Sequence, residues 1–131
     1  MLAEAESVSA AVERWLAGFE RALAAGGAGL EALFERDSHW RDVLALTWRI
    51  GTVSGAGAVA SGLKEHAARA RPRAFRLDPD RTAPREVTRA GEQCVEAIYR
   101  FETAEGPGAG VVRFRGDKAW TLLEARVGRL V

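Results

Sequence analysis

The chain has 131 residues, a net charge of +1 and one cysteine. That length suits one domain of ordinary size, while one cysteine allows no intrachain disulfide and Cys94, His39 and His66 make no zinc cluster without carboxylates. No apolar stretch approaches the roughly 20 residues of a membrane span, and the acids Glu4 and Glu6 stand where a secretory signal is basic, so the expected location is cytoplasmic.

Residues from about 4 to 25 read as one amphipathic helix, because Val8, Val12, Trp15, Leu16, Phe19 and Leu23 recur at three- and four-residue steps. Gly26 and Gly27 follow, where a helix takes a left-handed cap. The pattern predicts a short second helix over 28–36, with Leu30, Leu33 and Phe34 as its apolar side. Residues 39–53 are bulky and β-prone, from His39 and Trp40 through Val43, Leu44, Leu46 and Trp48 to Ile50 and Val53. A glycine turn and a helix over about 57–70 come next, ending before Pro72. A short strand fits 74–77, and the last third reads as strands over 86–90, 93–104, 109–115 and 118–127. The predicted turns hold Gly91, Gly106-Pro107-Gly108 and Gly116-Asp117. Helices first and an antiparallel meander afterwards define an α+β class, with one domain over 1–131.

Several patterns look chemical. Gly55-Ala56-Gly57-Ala58-Val59-Ala60 matches the G-x-G-x-x-A dinucleotide fingerprint, with Asp78 about 20 residues on. A nucleotide-binding sheet needs further βαβ units, and a meander supplies none, so the segment reads as a glycine turn capping a helix. The run Arg69, Arg71, Arg73, Arg76, Arg81, Arg85 and Arg89 is basic, but only Phe75 lies within it. It reads as a solvated helix end and loop, and nucleic acid is not an expected partner. Of the 19 basic residues only Lys64 and Lys118 are lysine, a bias that fits genome composition. Trp15, Trp40, Trp48 and Trp120 are either plain core or the lining of a cavity, since an indole offers apolar area and one N–H donor. Strand alternation puts Trp40 and Asp42 on one face and His39 and Arg41 on the other. An inward Asp42 either caps a turn, pairs with an arginine (Arg49 or Arg100), or works as an acid or base.

The order of these elements, with Leu33-Phe34-Glu35-Arg36-Asp37-Ser38-His39-Trp40-Arg41-Asp42, resembles the nuclear transport factor 2-like (SnoaL-like) superfamily. The resemblance spans essentially the whole chain. It implies a cone-shaped, cystatin-like roll: a curved antiparallel sheet wrapped by three helices, with a pocket between them. The segments 38–48, 100–104 and 118–123 look closer still to the N-terminal domain of some bacterial and fungal flavin-containing monooxygenases. No flavin chemistry follows for these residues, and no cofactor or metal is expected. Carried over residue by residue, Asp42 takes the place of the ketosteroid isomerase base. Trp15 and, approximately, Gly110 stand where that enzyme has its Tyr and Asp oxyanion donors, so ketosteroid isomerisation itself is not implied. The expected function is binding of a small apolar ligand, with acid–base catalysis of isomerase, dehydratase or cyclase type at Asp42. Trp15, Phe19, Trp40, Trp48, Tyr99 and Trp120 are the expected pocket lining. The alternative is a non-catalytic accessory or dimerisation domain, and the superfamily resemblance implies a homodimer.

Overall fold

The computed structural model describes residues 7–43, 45–46 and 50–127. Helix α1 (Val8–Ala24) starts at Ser7, whose hydroxyl accepts the Ala10 N–H at 3.1 Å. It buries Val12, Trp15, Leu16, Phe19, Ala22 and Leu23, the stripe set by the sequence period. Gly26 and Gly27 take φ of +75° and +94°, and the Gly27 N–H reaches back to the Ala22 carbonyl at 2.8 Å. This is the left-handed close that glycine allows.

The helix expected over 28–36 is a single 3₁₀ turn, Glu31–Leu33, and strand β1 (Phe34–Val43) begins inside the expected span. The apolar spacing of Leu30, Leu33 and Phe34 misled because Phe34 already opens a strand. After an irregularity between Phe34 and His39, Ser38, Trp40 and Asp42 are buried while Asp37, His39 and Arg41 are exposed. The remaining elements are β2 (Ile50–Ser54), α2 (Ala56–Ala70), β3 (Arg73–Leu77), β4 (Arg85–Arg89), β5 (Glu92–Thr103), β6 (Gly106–Arg115) and β7 (Lys118–Arg126). Thus among the described residues two α-helices, not three, accompany the sheet.

The hairpin turn at Ala90-Gly91 has φ of +51° and +79°, as a tight primed turn requires. The β5–β6 turn differs from expectation. It falls at Ala104-Glu105, and Gly106-Pro107-Gly108 lies inside β6. Thr103 closes that turn, its hydroxyl accepting the Glu105 N–H and donating to the Gly106 carbonyl. Gly108 is needed in the strand because a Cβ there would strike the Phe101 ring.

The strand order is β2-β1-β7-β6-β5-β3, with β4 also on β5. Strands β5, β6 and β7 form the expected meander. The sheet as a whole is mixed, because β1 and β7 run parallel. Strands β2 and β3, which flank α2, lie at opposite edges, so the G-x-G-x-x-A segment sits in no βαβ unit. Helix α1 packs on β3 and α2 on β1 and β2, both on one side of the curved sheet. Trp15 stacks on Phe19 with ring centroids 4.9 Å apart, and Phe75 on Phe101 at 5.0 Å. These rings, with Phe34 and Tyr99, belong to the core between sheet and helices. Among the described residues no helix is long and apolar enough to cross a membrane.

Candidate functional site

One transverse row of the sheet carries the buried polar groups. Across it Gly51 of β2 faces Asp42 of β1, Asp42 faces Glu124 of β7, Glu124 faces Gly110 of β6, and Gly110 faces Tyr99 of β5. Asp42, Glu124 and Tyr99 are buried on the helix side, with Glu124 and Tyr99 at 0 % exposure. Gly110 lets the two ends of the row meet. An ideal Cβ at Gly110 would lie 2.5 Å from Tyr99 Cζ, so the ring occupies the space a side chain would take. The Tyr99 hydroxyl thereby crosses β6 and donates to Glu124 Oε2 at 2.8 Å.

Burial pushes the Glu124 carboxyl up to about 8, and the Asp42 carboxylate beside it adds to the rise. The Tyr99 hydrogen bond and the nearby Trp40 indole N–H pull the other way and are outweighed. Glu124 is therefore largely a neutral acid at neutral pH. The Trp40 contact falls short of full hydrogen-bond geometry: Trp40 Nε1 and Glu124 Oε1 are both buried without a partner, as is Ser38 Oγ on the same strand face. Burial, then the charge and hydrogen bond of Glu124, raise the Tyr99 phenol well above its ordinary value.

Asp42 has the inward orientation that its parity with Trp40 requires, at 3 % exposure. Its Oδ1 accepts the Leu46 N–H at 2.9 Å, and Arg69 of α2 donates to the Leu46 carbonyl at 2.5 Å. Asp42 therefore caps the chain leaving β1 and also faces Glu124. Arg41 points to the other face and bonds the Thr52 hydroxyl at 3.1 Å. Arg100, one expected partner of Asp42, is on that outer face with Asp78 at 3.5 Å. Trp48 and Arg49 lie outside the described residues.

Trp15, Phe19, Trp40 and Tyr99 are all buried on the helix side. The Trp15 N–H is spent on the Leu33 carbonyl at 3.1 Å. Trp120 departs from expectation. The β6–β7 register shifts between Arg113 and Phe114, so simple alternation from Lys118 fails. Trp120 lies half-buried beneath the Arg115 guanidinium, 4.6 Å from its ring centroid, beside the ion pairs of Arg115 with Glu35 and Asp37. Glu124 follows Leu122 at i, i+2 and shares its buried face; sequence reasoning missed it because a lone glutamate in a strand reads as solvated. Among the described residues no three His, Cys, Asp or Glu side chains converge as metal ligands.

The α+β fold is that of nuclear transport factor 2-like proteins. The chain is similar to a nuclear transport factor 2-like protein of unknown function from Mesorhizobium loti, at 14 % identity over 95 % of this chain and 98 % of that one, with a TM-score of 0.59. It is similar also to a steroid delta-isomerase from Pseudomonas aeruginosa, at 18 % identity over 93 % and 81 % of the two chains, with a TM-score of 0.51. A protein of the family DUF4783 from Bacteroides fragilis shares 16 % identity over 84 % and 96 %, with a TM-score of 0.56. At these identities the likeness is one of fold. No protein-family model and no curated protein matches the chain.

Proposed function

We propose that this domain binds a small, largely apolar molecule on the helix side of the sheet, with Asp42 as proton acceptor and Glu124 as proton donor. The observation that carries the reading is the in-register pair Asp42–Glu124, one carboxyl held neutral to about pH 8 while its oxygen Oε1 lacks a partner. A buried carboxyl held neutral beside a second carboxyl is a basis for an acid and base assignment. In this reading Asp42 takes a proton from carbon next to a carbonyl, and the Glu124 hydroxyl donates to the carbonyl oxygen as charge builds there. The Trp40 N–H is a second donor. That a steroid delta-isomerase shares the fold supports this chemistry.

The test uses 2-tetralone, an apolar ketone with exchangeable hydrogens, in deuterated water followed by NMR. The wild type is expected to speed exchange, Asp42→Asn to abolish the gain, and Glu124→Gln to reduce it by about 10²-fold or more. Exchange unchanged by both variants overturns the assignment.

The second reading is an accessory domain related to the N-terminal part of flavin-containing monooxygenases. The capping contacts of Asp42 and Arg69 with Leu46 favour it, since they give the buried carboxylate a bracing duty. In both readings the outer face is the proposed dimer surface. Ile98, Val111 and Leu123 form one apolar row there across β5, β6 and β7, with Leu123 at 37 % exposure. Sedimentation at tens of micromolar is expected to show a dimer, and Leu123→Glu a monomer; a monomeric wild type overturns it.

A further inference from the structure

At the far end of β1 from Asp42 lies a groove of about 720 Å³. Six positions separate Asp42 from Arg36 on its rim, about 20 Å of strand. The floor is small and apolar: Gly27, Gly29, Ala32, Ala56 and Ala60 beside Phe34. The rim is cationic. Arg36 comes from β1, Lys64 from α2 and Lys118 from β7, all exposed, and Glu31 is the one acid lining it. Five arginines outside the groove, Arg76, Arg89, Arg100, Arg113 and Arg115, each meet a carboxylate. Arg36, Lys64 and Lys118 meet none among the described residues.

A second, independent observation is one of composition. The chain uses arginine almost throughout, yet both of its lysines line this groove. Composition bias accounts for the arginines and leaves that coincidence unexplained. Lysine is a compact, strongly hydrated point charge on a flexible stem and a common phosphate binder. Gly27, at φ +94°, seats one of them. An ideal Cβ there would stand 3.0 to 3.2 Å from the Lys64 stem, so the bare loop gives that stem its resting place.

The geometry points to a binding site for a small phosphate monoester in this groove, held by Arg36, Lys64 and Lys118. Three cations and Glu31 leave a surplus of two positive charges, which a phosphate dianion balances. The volume lies in the range of small-molecule sites, so the organic body rests on the alanine and glycine floor against Phe34. The wall formed by Ala56, Gly57 and Ala60 belongs to the fingerprint-like segment, which serves as a floor and helix cap without any nucleotide-binding sheet. The site is independent of the carboxyl pair.

Adenosine monophosphate and inorganic phosphate, each titrated by calorimetry at low salt, test it. Saturable binding of adenosine monophosphate is expected, with inorganic phosphate weaker. Arg36→Ala, Lys64→Ala and Lys118→Ala should each weaken binding about tenfold. Glu31→Gln should tighten it severalfold, and Arg81→Ala, an exposed arginine elsewhere, should change nothing. Added salt should weaken binding. Absence of saturable binding, or equal loss in Arg81→Ala, overturns the site. Equal affinity for the two probes overturns the organic body.

Discussion

The melting temperature is expected to fall steeply as pH rises from 4.5 to about 8, and Glu124→Gln is expected to remove most of that fall. The folded protein keeps a proton on Glu124 up to about pH 8, while the unfolded chain releases it near 4.5. Within that window the native state binds more protons, so stability drops with pH at about 1.4 kcal/mol per unit. Below the window the contribution is fully present; above it this group adds no further loss. Over the window the total is on the order of 5 kcal/mol, comparable with the whole stability of many domains. For a chain of this size that is roughly 15–20 °C. Glutamine keeps the neutral shape and cannot ionise, so the difference between the two melting curves isolates Glu124 from every other titrating group. Tyr99→Phe should move the break upward, since the phenol holds the carboxyl down, and Asp42→Asn should move it downward. A difference curve that is flat across the window would mean that Glu124 is ionised in the fold.

The residues behind this behaviour were unevenly legible. Asp42 was readable because β1 alternates from Asp37 onward, so the burial of Trp40 fixes that of Asp42 two residues on. Glu124 is as deeply buried, yet a lone glutamate in a strand reads as solvated, and the parallel pairing that sets it against Asp42 joins residues 82 positions apart. The glycine-rich hairpins at Gly91 and Gly116 were legible because their positive φ is a local demand. Gly106-Pro107-Gly108 looked like a turn on the same logic and is strand. Its last glycine answers a distant demand, the ring of Phe101. The element order could be read because each helix stripe and strand alternation is local. The polar row could not, because it is assembled across five strands.

Gly110→Ala is expected to cost about 3–5 kcal/mol, a large effect for one methyl group, from overpacking and from the buried hydrogen bond it breaks. The φ of Gly110 is ordinary, so space alone decides. The added Cβ would stand 2.5 Å from Tyr99 Cζ, 2.6 Å from the Tyr99 hydroxyl and 2.5 Å from the Leu123 carbonyl oxygen. The last is backbone and can yield only by opening the β6–β7 ladder. If the ring yields, the hydroxyl leaves Glu124 and both carboxyl oxygens become unpaired inside the protein. Gly51 is the control. It sits in the same transverse row, opposite Asp42, and a Cβ there meets nothing within 4 Å. Gly51→Ala should stay within about 0.5 kcal/mol of wild type. Chemical denaturation of both variants checks the contrast, and equal stability of Gly110→Ala and Gly51→Ala would remove the argument. Combining Gly110→Ala with Tyr99→Leu should cost less than the sum of the single changes, because the shorter side chain vacates the space over β6. Additive costs would instead place the strain on the Leu123 carbonyl. The position that the superfamily resemblance assigns to a carboxylic donor is here closed to any side chain. Tyr99 and Glu124 hold that part of the fold's interior in its place.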